Sequence, residues 1–250
     1  MSISLEETAK DAETATELLA TKVPAELVSE ILDYAEYFDH EIIGVGEKGF
    51  VQSTWWGYNG EMNREGGGWS GIKVYLVAQI PDFMALGKDT IGKGGLGGGR
   101  PGRVRKIVFR LRCRDQGWSS HPEVDGTYEW GRSRIDVEIW RERQKLPLKN
   151  EAANVVSRKD GDMYKVCESL LQRNKIAETD VLKYEVSWRW DEDKPLDDTK
   201  RVDEIGRHEK NGQFVRELKG GDEIRILIKA FYAGWECRVE HCEVECWWAV

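Results

Sequence analysis

Beyond Asp39 the chain alternates apolar and polar positions with a period of two. Val74, Leu76, Ala78 and Ile80 alternate with Lys73, Tyr75, Val77 and Gln79, and Ile107, Phe109, Leu111 and Cys113 alternate with Lys106, Val108, Arg110 and Arg112. The same rhythm returns at Ile135, Val137 and Ile139, at Tyr184, Val186, Trp188 and Trp190, at Ile224, Ile226 and Ile228, and at Cys242, Val244, Cys246 and Trp248. Neighbouring side chains on a strand point to opposite faces, so these runs predict half-buried antiparallel strands. Asp125-Gly126, Asn211-Gly212 and Gly220-Gly221-Asp222 read as turns between them. Residues 166–177 fit a strand and a short helix equally well. No helix of crossover length separates the runs, which argues against a parallel α/β sheet. The pattern predicts a mainly β chain: an antiparallel β-sandwich, jelly-roll-like, over residues 41–250, with no internal repeat.

Residues 1–40 read instead as a helical segment. Leu5 to Ala20 carries only a thin apolar stripe. Pro24 suits a first helical position, and Leu27, Val28, Ile31, Leu32, Ala35 and Phe38 then recur at helical spacing. Such an amphipathic helix covers an apolar surface of the sandwich or docks a protein partner through Leu27 and Ile31. Residues 87–102 contain eight glycines and one proline and read as a long mobile loop. Gly87 to Lys93 formally spells G-x-x-x-x-G-K, and Gly92, Gly94 and Gly97 spell G-x-G-x-x-G. A phosphate site needs Ser or Thr after that lysine and a helix just downstream; Gly94 and Gly97-Gly98-Gly99-Arg100-Pro101-Gly102 supply neither.

Charge and cysteine content narrow the classes further. Lys and Arg number 37 against 45 Asp and Glu, a net charge of −8, which argues against nucleic acid as a partner. No apolar run reaches the roughly 20 residues of a membrane helix, so no membrane partner is expected. The opening Met1-Ser2-Ile3-Ser4-Leu5-Glu6-Glu7 lacks the basic and apolar parts of a secretory signal, and five cysteines form no framework of spacings. Reduced thiols and a cytoplasmic location follow as expectations. Cys237, His241, Cys242 and Cys246 do not make a metal site: alternation puts Cys242 and Cys246 on one face and His241 on the other. Neither G-x-S-x-G nor H-E-x-x-H occurs, so no catalytic residue is singled out and no cofactor is expected.

The most informative stretch runs from Arg112 through Arg114-Asp115-Gln116-Gly117-Trp118-Ser119-Ser120-His121-Pro122 to Gly126-Thr127-Tyr128-Glu129-Trp130. It starts where a strand ends and combines aromatics, an amide, hydroxyls and an ionic pair. Sugar sites use this mixture, an indole face under the ring and polar groups on its hydroxyls. Arg114, Asp115, Gln116, Trp118 and Trp130 are therefore the candidate residues for a carbohydrate or peptide ligand. The competing reading makes Asp115 a turn cap and the two tryptophans plugs closing the sandwich. Outward-facing Lys106, Arg110 and Arg112 are expected to pair across strands with Asp136 and Glu138.

Arg114-Asp115-Gln116-Gly117-Trp118 leading to Gly126-Thr127-Tyr128 resembles a β-domain of uncharacterised fungal cytosolic proteins, some of which carry ankyrin repeats. Gly221-Asp222-Glu223-Ile224 and Ala233-Gly234-Trp235-Glu236 are similar to its closing strands, and residues 24–37 to its preceding helix. The resemblance implies a β-sandwich and cytosolic placement, and no activity. The chain departs from it at Gly131-Arg132-Ser133-Arg134, where an aromatic-rich strand start is expected, which weakens any surface role there. The helix also resembles the Leu-Pro-x-Glu-Leu opening of an F-box, with Val23 in place of the leucine. Three functions follow as expectations: a non-enzymatic binding module, an adaptor acting through its N-terminal helix, and a hydrolase built on a jelly roll.

Overall fold

The computed structural model describes residues 14–24, 27–28, 31–32, 35, 38–53, 70–81, 103–143, 163–194, 199–232 and 234–249. The glycine-rich stretch 87–102 lies outside them. Residues 14–20 are helical, as are 27–28 and 31–32. Of the apolar stripe, Val28 and Leu32 are buried, Leu27 is exposed and Ile31 half-buried. Strand begins at Phe38, so the helical segment ends short of residue 40.

Eight strands follow: β1 (Phe38–Gln52), β2 (Ser70–Gln79), β3 (Val104–Arg114), β4 (Ser133–Glu142), β5 (Met163–Arg173), β6 (Leu182–Arg189), β7 (Glu223–Phe231) and β8 (Glu236–Ala249). Helices α1 (Thr199–Ile205) and α2 (Gly212–Glu217) lie between β6 and β7. The strands form two four-stranded sheets, in the orders β1-β8-β3-β6 and β2-β7-β4-β5, with every pairing antiparallel. The two sheets pack into a β-sandwich, as the alternation predicts. Ile107, Phe109 and Leu111 of one sheet share a core with Ile135, Val137, Ile139, Ile224, Ile226 and Ile228 of the other. Trp188 meets Phe109 and Phe214 edge-on, at 5.4 and 5.3 Å between ring centres. Cys242 and Cys246 sit in the same core as free thiols, and burial pushes the Cys242 thiol up to about 12, so it packs as a neutral apolar group.

Local departures from the period-two expectation have physical causes. β1 carries glycine where inward apolar residues would stand. A methyl group on Gly46 would come within 2.9 Å of the Tyr75 ring, and one on Gly49 would collide with it. Tyr75 faces them because β2 shifts register between Val74 and Leu76, a bulge that turns Tyr75 to the core side and leaves Val74 exposed. The expected inward position of Val74 is thereby reversed. Residues 166–177 resolve into the end of β5 and the loop after it, and β5 slips against β4 twice. Asn211-Gly212 is a helix start and not a hairpin turn: Phe214 N–H donates to Asn211 Oδ1 at 3.3 Å, capping α2. Arg110 pairs with Glu185, Glu243 and Glu245 of its own sheet, since Asp136 and Glu138 belong to the other one.

The Gly49–Tyr75 fit sets a test. Gly49→Ala is expected to lower stability to chemical denaturation by about 1–3 kcal/mol. At least half of that loss should vanish in the Tyr75→Ala background, where the ring is gone.

Candidate functional site

Antiparallel pairing gathers one set of chain turns at a single end of the sandwich. The register puts Gln52 opposite Glu236, Ser133 opposite Ala230, Arg134 opposite Arg173 and Arg114 opposite Arg238. The segments 115–132 and 174–181 and residues 232, 234 and 235 therefore lie together at that end. A small second core supports them, formed by Val124, Ile176, Ala230 and Trp235. Gly126 N–H donates to Ile176 C=O at 2.8 Å and Ile176 N–H to Thr127 C=O at 2.9 Å, bridging the first two segments.

Asp115 is 1% exposed and serves the loops themselves. Its Oδ1 accepts from Gly117 N–H and its Oδ2 from Ala177 N–H, both at 2.8 Å. Burial pushes its pKa up to about 6, against the pull of these backbone donors and with a small further push from the Glu178 charge. Gln116 is also spent internally: its Nε2 donates to Trp118 C=O at 2.8 Å, and its Oε1 accepts from Glu236 N–H at 3.2 Å. Gly117 holds φ +85°, and a side chain there would press on Thr179. The turn-cap reading of Asp115 is thus what the geometry shows.

The tryptophans of this segment face outward. Trp118 is 60% exposed and Trp130 52%, so neither plugs the core. Trp130 meets His121 edge-on at 5.3 Å and takes Arg132 on its ring at 4.5 Å. The same guanidinium lies 4.8 Å from the Trp235 ring and 5.5 Å from that of Tyr232, which is 57% exposed. Of four non-glycine residues with positive φ among those described, three stand here: Trp130 at 62°, Ala177 at 57° and Tyr232 at 79°. Each such residue costs about 1–3 kcal/mol and persists only where its surroundings over-determine it, a condition that clusters at binding and catalytic sites. Arg114, the remaining predicted residue, is half-buried, and its side chain has no ion pair or hydrogen bond among the described residues. Arg132, Tyr232 and Trp235 are the residues that sequence reasoning missed.

Beside this surface a cleft of about 640 Å³ opens, lined by Tyr128, Lys175, Tyr184, Asp203 and Arg207 among others. The Tyr128 and Tyr184 hydroxyls are 3.4 Å apart, and Arg173 ties the cleft together through Tyr128 C=O at 3.3 Å and Asp203 at 2.6 Å. Among the described residues no group of three or more His, Cys, Asp or Glu is placed to hold a metal ion. No helix among them is long and apolar enough to cross a membrane. No family model, curated protein or solved structure matches the chain.

The raised Asp115 pKa has a sign that can be measured. The folded chain holds this proton more tightly than the unfolded one, so its contribution to stability falls as pH rises from about 4 to about 6 and is level above that. Two pK units correspond to about 3 kcal/mol at most. Denaturant titrations across that range should show the slope in the wild type and its loss in Asp115→Asn.

Proposed function

We propose that the chain is a non-enzymatic binding module of jelly-roll type that recognises a carbohydrate at the loop-bearing end of its sandwich. One observation carries this reading: two indoles stand exposed on a loop whose own carboxylate and amide are consumed in holding it still. Large aromatic faces offered to solvent on a rigid support suit the apolar face of a sugar ring. Preorganisation of this kind reduces the ordering cost of binding. The order β1-β8-β3-β6 against β2-β7-β4-β5 supports the jelly-roll reading of the sandwich, and since jelly rolls host lectin domains among many others, the site and not the fold supports the function. Asp115 and Gln116 act as positioning residues in this reading. Trp118 and Trp130 meet the ligand, with Arg114 and Arg132 as the polar groups beside them.

An adaptor role is the second reading. It is favoured by Leu27, which is exposed while its neighbours Val28 and Leu32 are buried. Leu27→Asp would abolish partner capture there and leave sugar binding intact.

A glycan array probed with the full chain, followed by titration of its hits, tests the first reading. Trp118→Ala and Trp130→Ala are each expected to weaken binding at least about tenfold, as loss of an aromatic anchor does, with the cooperative unfolding transition retained. An array without hits, or variants that bind as the wild type does, would overturn it. A peptide ligand displaced from the same tryptophans would replace the sugar in the account.

A further inference from the structure

In a chain of 37 basic and 45 acidic residues, carboxylates are plentiful, and many arginines have found one. Arg110 bridges Glu185, Glu243 and Glu245, Arg134 meets Asp136, Arg141 meets Asp222, Arg225 meets Glu223 and Arg238 meets Glu236. Three arginines at the loop-bearing end of the sandwich depart from this pattern. Arg132 is half-buried among three aromatic rings and has no hydrogen bond or ion pair from its side chain among the described residues. Arg112 and Arg114, at the end of β3, have no carboxylate partner among them either. The register sets Arg112 opposite Lys183 and Arg114 opposite Arg238. Like charges directly opposite each other destabilise an antiparallel pair. Three guanidinium groups at this end, those of Arg112, Arg114 and Arg132, are therefore without a carboxylate partner among the described residues.

We propose that the ligand is an acidic saccharide, whose carboxylate is taken by Arg132 while its ring rests on Trp130; this deepens the carbohydrate reading above and rests on it. A guanidinium has donors and no acceptor, and its planar fork matches a carboxylate through two parallel N–H···O bonds. Sugar hydroxyls need acceptors as well, and those of Asp115 and Gln116 are already committed to backbone N–H groups. Stacking among Trp130, Tyr232 and Trp235 holds the Arg132 fork in place before binding, so little freedom is lost on contact. The flanking rings also exclude water and strengthen the ion pair relative to one in open solvent. Arg112, Arg114 and Lys183 lie at the same end, and an ion pair formed at a partly exposed guanidinium makes the association salt-dependent.

Calorimetric titration of the full chain with trigalacturonate, its fully methyl-esterified form and hexaglutamate tests the inference. Trigalacturonate is expected to bind at least about tenfold more tightly than the ester, and less tightly as salt rises. Arg132→Gln should abolish that preference, and Arg132→Lys, which keeps the charge and loses the fork, should lose most of it. If the glutamine variant does not fold, the lysine variant with an intact thermal transition carries the comparison. Equal binding of acid and ester overturns the acidic-ligand inference and leaves the carbohydrate reading standing. Hexaglutamate binding with neither saccharide bound overturns both. If none of the three binds, array hits confined to neutral glycans overturn the inference alone, and an array without hits overturns both.

Discussion

A buried carboxylate surrounded by backbone N–H groups holds the end of this sandwich in shape. Asp115 takes donors from Gly117 and Ala177, and so joins the loop after β3 to the loop after β5. Removing it would leave these part-buried donors without that partner. Ala177, whose N–H reaches Asp115, has a left-handed backbone, as do Trp130 and Tyr232, whose rings lie beside the Arg132 guanidinium. At this end Trp118, Trp130 and Tyr232 face out while the Asp115 carboxylate is buried.

The rest of the sandwich is built to keep that end fixed. Its inner faces are closely apolar, and the outer face of the β2-β7-β4-β5 sheet is bound by ion pairs. Lys229 meets Asp136 at 2.8 Å and Glu168 at 2.6 Å, and Lys165 links Glu138 and Glu168. The two lysines hold the Glu168 carboxyl well below the usual range, at about 2, despite the burial that opposes them. Charges are therefore matched along the body of this sheet, whereas Arg114 and Arg132 at the loops have no carboxylate partner among the described residues.

Much of this architecture is legible in the sequence, because burial on one face of a strand imposes a period of two that Ile224, Ile226 and Ile228 or Ile135, Val137 and Ile139 display without interruption. The pattern is lost where packing is solved across the sandwich. Gly46 and Gly49 hide β1 because their partner is the Tyr75 ring on the opposite sheet, and the bulge that aims Tyr75 inward exchanges the faces of β2 before it. The loop at Arg114–Trp118 is visible as a candidate site, whereas its division of labour is not. Asp115 and Trp118 look alike as ligand contacts in a one-dimensional reading, and only burial separates the one that builds from the one that is offered. Arg132 directly precedes β4, and its aromatic partners Tyr232 and Trp235 arrive from the turn between β7 and β8. No local pattern announces such a contact.

The central claim is that this end is rigid before any ligand arrives. NMR relaxation of the free protein tests it most directly, through order parameters of the backbone at 115–118, 130–132 and 176–178 and of the Trp130 indole N–H. Values near about 0.85, equal to those of the flanking strands, are expected. Values below about 0.6 at these positions, with the strands unchanged, would contradict a preformed binding surface.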